Sequence, residues 1–161
     1  MRNFLKPIGL MTAMLFLGAS IGLAAPELKP LKPRVPGKDR KAAKKMKNPI
    51  AFTKENVAKG KALFEGKGTC LNCHGKTGKG DGPAGKVLPQ GPRDFTNCKF
   101  HKKRKDGELF YVIKHGSKGP NAKLPSTGMV SLIPSAITEE EAWFIVNYER
   151  TFCKQWAKKV K

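Results

Sequence analysis

Apolar residues recur at helical spacing in three stretches of the chain, and no stretch alternates in the manner of a half-buried strand. The first stretch carries Val57, Gly60 and Phe64 on one stripe, with Leu63 beside it. Thr53 is an N-cap residue type, and Gly66 and Gly68 end the pattern near Glu65. A glycine inside a helix costs about 1 kcal/mol against alanine, so Gly60 predicts a very close neighbour. The second stretch opens with Asp106 as cap, presents Leu109, Phe110, Val112 and Ile113, and stops at Gly116. The third begins with the capping-box pattern Thr138-Glu-Glu-Glu141, which sets acidic residues at the positive end of a helix. Trp143, Ile145, Val146, Tyr148 and Phe152 follow at helical intervals, and Trp156 belongs to a short continuation. Between the first two helices, Gly75 to Gly85 and then Pro89, Gly91 and Pro92 read as loop. Three main helices joined by long loops predict an all-α domain.

The first 48 residues follow different rules. Arg2 and Lys6 precede an apolar run from Ile8 to Leu23, and small residues Gly22 and Ala24 fit cleavage after Ala24. The run of about 16 residues is short of the roughly 20 that a spanning helix needs, which favours a signal peptide over residues 1–24 against an uncleaved anchor. Either reading places the rest outside the cytoplasm, and the periplasm is the expected compartment. Residues 25–48 hold four prolines and nine lysines and arginines between Lys29 and Lys47, against Glu27 and Asp39. No apolar period is visible, so a Pro/Lys-rich basic linker is expected, disordered or with a fraying helix near Arg40–Lys47. Such an arm suits an anionic membrane surface or an acidic protein, or is simply solvated. The domain proper, with a basic C-terminal tail, spans 49–161. A length of 161 residues suits one modest domain plus extensions, and the net charge of +20 speaks to partners rather than fold.

Cys70-Leu-Asn-Cys73-His74 carries the chemistry. Two cysteines with two residues between them, followed at once by histidine, form the attachment pattern for a c-type haem. Each thiol forms a thioether with one haem vinyl group, and His74 binds the iron from below. A thioredoxin-like redox pair needs a βαβ setting that is not visible here. A zinc site needs a second close pair of ligands, whereas Cys98 and Cys153 stand far apart. Of five methionines, Met1, Met11 and Met14 lie in the export signal and Met46 in the linker. Met129 alone lies inside the domain, on a loop between the second and third helices, and is the candidate sixth ligand. His101, among lysines that read as solvated surface, and His115, at the end of the second helix, are its competitors.

These residues resemble the class I cytochrome c family, the single-haem, His/Met-ligated type, over about Asn48 to Phe152. The resemblance rests on Gly60 and Phe64, Cys70 to Gly75, the Gly-Asp-Gly-Pro loop, Thr127-Gly-Met129, and Trp143 and Tyr148. It implies a cytochrome c-like fold wrapped around one covalent haem c, with Gly60 against Tyr148 or Trp143. It also implies a loop proline, Pro83 or Pro92, whose carbonyl orients His74. The basic arm and the pair Cys98 and Cys153 depart from the family pattern. Outside the cytoplasm those two can form a disulfide, and two free thiols or a bridge to a partner are the alternatives.

The function these readings imply is a mono-haem carrier of single electrons, not an enzyme. The alternative is the haem-bearing subunit of a multi-subunit oxidoreductase. Lysines 67, 76, 79, 86, 114, 118 and 123 flank the segments expected around the haem edge. They read either as general surface charge or as a docking ring for an acidic redox partner. Export and the lack of a reading motif argue against nucleic acid. The free protein is expected to be a monomer.

Overall fold

The computed structural model describes residues 32–88, 90–117 and 127–161. The expected signal peptide, residues 25–31 of the expected linker, and Lys118 and Lys123 lie outside them. Seven helices are present among the described residues: α1 (Gly37–Lys45), α2 (Lys54–Glu65), α3 (Leu71–His74), α4 (Cys98–Lys103), α5 (Asp106–His115), α6 (Glu139–Thr151) and α7 (Lys154–Ala157). No strand occurs among them, and none of these helices is long and apolar enough to cross a membrane. The three helices expected from periodicity are α2, α5 and α6. The expected cap of α5 shifts by one residue, because Lys105 takes the N-cap position and Asp106 opens the helix.

The frame is the crossing of α2 and α6. Thr53 caps α2, its hydroxyl oxygen accepting the Asn56 N–H at 3.2 Å. Thr138 and Glu141 cap α6 reciprocally, at 3.1 and 2.8 Å. At the crossing a side chain on Gly60 would run into the Phe144 carbonyl, with Tyr148 Cβ next at 3.0 Å. The close neighbour is therefore backbone as well as Tyr148. Trp143 instead stacks on Phe110 of α5, with ring centroids 4.1 Å apart. Phe64, fully buried, meets the edge of Tyr148 at 5.3 Å and Phe152 at 5.6 Å.

Residues 32–48, expected as part of a solvated linker, pack on the domain. Val35 and Ala43 are buried and form a second small core with Tyr111 of α5. A side chain at Gly107 would strike the carbonyl of Ala43 and Met46 Cβ, so α1 lies directly on the first turn of α5. The Tyr111 hydroxyl donates to Asp39 at 2.8 Å. Asn48 then ties the chain to α6, its amide donating to the Trp143 carbonyl at 3.1 Å and to Asn147 at 2.9 Å. Two apolar residues eight apart are too few to show a period, yet they suffice when the facing helix carries a glycine, Gly107, in its first turn. The basic C-terminal tail is also paired with the domain: Lys161 exchanges backbone hydrogen bonds with Phe52 and Lys54 at 3.1 and 3.0 Å.

Candidate haem site

Gly68 and Thr69 bring the chain out of α2, and the single turn α3 presents Cys70, Cys73 and His74 together. Glycines let the next loop fold back on that turn. Gly82 and Gly85 approach the Asn72 and Cys73 carbonyls so closely that a side chain at either would overlap backbone. The loop then returns through Pro92 to Phe95, whose N–H bonds the Gly78 carbonyl at 2.7 Å.

A cavity of about 150 Å³ lies against this turn. Cys70, Cys73, His74 and Met129 all line it, with Leu109, Val112 and Ile113 of α5 among its apolar walls. Met129 reaches it from the loop after α5, where Gly116 and Gly128 adopt positive φ and the Ser117 N–H holds the Met129 carbonyl at 3.0 Å. His101 and His115 do not line the cavity. Cys98 and Cys153 are joined in a disulfide that ties α4 to the end of α6, outside the cavity wall.

His74 is buried, and its Nδ1–H donates to the Arg93 carbonyl at 3.3 Å. That bond leaves Nε2 with its lone pair free. Burial is the main force that pushes the imidazole pKa down to about 4, so the ring is neutral, as a metal ligand must be. The supporting carbonyl belongs to neither Pro83 nor Pro92. The Pro92 carbonyl turns toward Gly80, and the following residue takes the role. Phe95 stacks on the His74 ring, with centroids 4.3 Å apart and planes 17° apart. Burial, helped by the nearby Glu149, raises the Cys70 thiol to about 12, so it is uncharged.

His101, expected at the surface among lysines, is 1% exposed. Its Nε2–H donates to the Phe95 carbonyl at 2.6 Å, and Nδ1 accepts from Arg150 at 3.2 Å. It anchors the residue that stacks on His74. Helix α4 explains the misreading: one face buries Phe100 and His101 while Lys102 and Lys103 stay exposed. Glu149 was also missed. It lines the cavity in a buried position, one turn after Ile145 on α6, and that i, i+4 relation was the available signal.

The donor set fits a covalent haem. Two thiols, a neutral imidazole with one nitrogen free and a thioether share one largely apolar cavity. Among the described residues no cluster of three or more His, Cys, Asp or Glu offers a zinc-type site. The sequence profile of the cytochrome c family matches residues 57–151, more than half of the chain. No curated protein matches. A solved chain of the Kuenenia stuttgartiensis reducing HAO-like protein complex superposes with a TM-score of 0.53 at 26% identity, over 65% of this chain and 47% of that one. This chain therefore spans about half the length of that relative. With the profile covering both cysteines, His74 and Met129, the chain belongs to the cytochrome c family, electron-transfer proteins that hold haem c covalently.

Proposed function

We propose that this chain is an exported, periplasmic, mono-haem cytochrome that carries single electrons between redox partners and performs no substrate chemistry of its own. One observation carries the reading: Cys70, Cys73, His74 and Met129 line a single, mostly apolar cavity, although two helices separate His74 from Met129 in the chain. Cys70 and Cys73 would hold the ring by thioethers, and His74 Nε2 and the Met129 sulfur would bind its iron. A haem held there would supply one-electron chemistry, by exchange between ferric and ferrous iron.

The chain's own residues set the conditions for that transfer. The Arg93 carbonyl fixes the His74 tautomer, and Phe95 keeps the ring from rotating. A neutral His/Met pair in an apolar wall favours the less charged reduced state and a raised potential. Lys76, Lys79 and Lys86 are exposed on the loop that covers α3. Lys67 and Lys114 are exposed or partly exposed and pair with Glu141 and Glu139 at the start of α6. Surface pairs of this kind contribute little, so these lysines stay available to an acidic redox partner. The likeness to a chain of a multi-protein complex supports a second reading, a haem-bearing subunit of a larger oxidoreductase. Co-purification with a large partner at high salt selects the second reading, and its absence selects the shuttle.

The test of the ligand set is Met129→Ala in the exported protein. The weak long-wavelength sulfur-to-iron band of the oxidised form should vanish, and the reduced form should bind carbon monoxide rapidly. An unchanged band in the variant contradicts the assignment of Met129.

A further inference from the structure

The cavity carries an excess of positive charge that its apolar walls do not explain. Lys32, Arg34, Arg93 and Arg104 line it, against the carboxyl groups of Glu108 and Glu149. Burial raises Glu149 to a pKa of about 8, so it is mostly neutral at pH 7. Glu108 is 1% exposed, accepts the Lys105 N–H at 3.0 Å and lies 3.8 Å from the Arg104 guanidinium, which it balances, so the excess falls on Arg34, Arg93 and Lys32. Burial also lowers the pKa of Arg34 and Arg104, a sign that these guanidinium groups have left bulk water. Cations held in a low-dielectric site favour an anionic guest.

Two of the four cations come from the arm, outside the residues that match the family profile. Their placement is built. Arg34 is 9% exposed, and its Nη2 donates to Gln90 Oε1 at 2.9 Å. The Arg93 Nη2 donates to the Lys32 carbonyl at 3.2 Å, so the arm and the loop that supports His74 hold each other. Val35, next to Arg34, is buried in the small core with Ala43 and Tyr111 and also lines the cavity.

We propose that the arm is a wall of the haem crevice, and that Arg34 acts with Arg93 to bind the propionate carboxylates of the haem. The inference rests on the haem reading above. A guanidinium offers paired donors that match a carboxylate. A cation at that place also stabilises the reduced state, which carries one positive charge fewer. Because Arg34 is buried, salt screens this effect far less than it screens a surface lysine.

The experiment compares the reduction potentials of full-length, haem-loaded wild type, Arg34→Gln and Arg34→Lys at low and high salt. The reduction equilibrium of Arg34→Gln should fall roughly tenfold, about 59 mV for one electron, with the shift retained at high salt. Arg34→Lys should keep most of the wild-type potential. Tyr111→Phe, which frees Asp39 of the arm from α5 and leaves Arg34 in place, should shift the potential the same way by less. It carries the comparison if Arg34→Gln does not fold. Wild-type potentials in the folded variants, or equal shifts in Arg34→Gln and Arg34→Lys, overturn the role of Arg34. A wild-type protein without covalent haem would instead overturn the underlying reading.

Discussion

Buried His101 and Glu149 make the fold sensitive to pH in opposite directions. Burial takes the His101 imidazole from 6.5 down to about 4. The unfolded chain therefore binds that proton first, and its contribution is complete above about pH 6.5 and lost as pH falls toward 4. Glu149 has the reverse sign. Its folded pKa of about 8 lies above the ordinary 4.5, so the folded state holds the proton longer, and stability declines as pH rises through that interval. Denaturant midpoints measured from pH 4 to 9 should show a flatter acid limb in His101→Gln and a flatter alkaline limb in Glu149→Gln. Unchanged slopes in both would refute the burial of these groups. Gly60→Ala sets two effects against each other. Helix propensity gains about 1 kcal/mol, but the new methyl overlaps the Phe144 carbonyl, which cannot rotate away. A net loss of roughly 1–3 kcal/mol is expected in a denaturant titration. Sequence alone shows the ligand candidates because their chemistry lies in residue type and spacing. It does not show the Arg93 carbonyl, since every residue has one and only the folded loop selects it.

At the scale of elements, α2, α5 and α6 are legible because each has several turns of apolar period and a capping residue. Helix α4, with six residues, is too short to display a period, although Asn97 caps it by accepting the Lys99 and Phe100 N–H groups. Helix α1 is hidden by its charge: only Ala43 is buried along it, and Val35 and Tyr111 complete the contact. Losing the Tyr111–Asp39 hydrogen bond in Tyr111→Phe should cost about 1 kcal/mol and raise amide exchange in α1 without raising it in α6. The Cys98–Cys153 bridge closes a loop with a sequence separation of 55, worth at most ~4 kcal/mol of denatured-state entropy. Reduction, or the paired Cys98→Ala and Cys153→Ala variant, should therefore lower the unfolding midpoint clearly while leaving the visible spectrum intact. Equal midpoints with and without reductant count against a stabilising bridge.

Across the whole molecule, charge and cavity work at different ranges. Under the proposed function the net charge of +20 would steer encounter with an acidic partner, an attraction that fades within about 10 Å at 0.1 M salt. Electron-transfer rates with such a partner should fall steeply as salt rises, and salt-independent rates would remove the docking ring from the account. The arm shows how composition misleads here. Its lysines and prolines read as linker, yet it is held by a few buried contacts that composition does not register. The fold as a whole makes sense as a wrapping, because α3, the segment through Leu88 and Pro92 to Phe95, α5 and the Met129 loop all border one cavity instead of filling it. The most direct test is the visible spectrum of the oxidised protein, recorded before and after extraction with acidified organic solvent. The account predicts a haem c spectrum with a weak long-wavelength sulfur-to-iron band, and colour that stays with the protein on extraction. A colourless exported protein, or pigment that passes into the solvent, contradicts it.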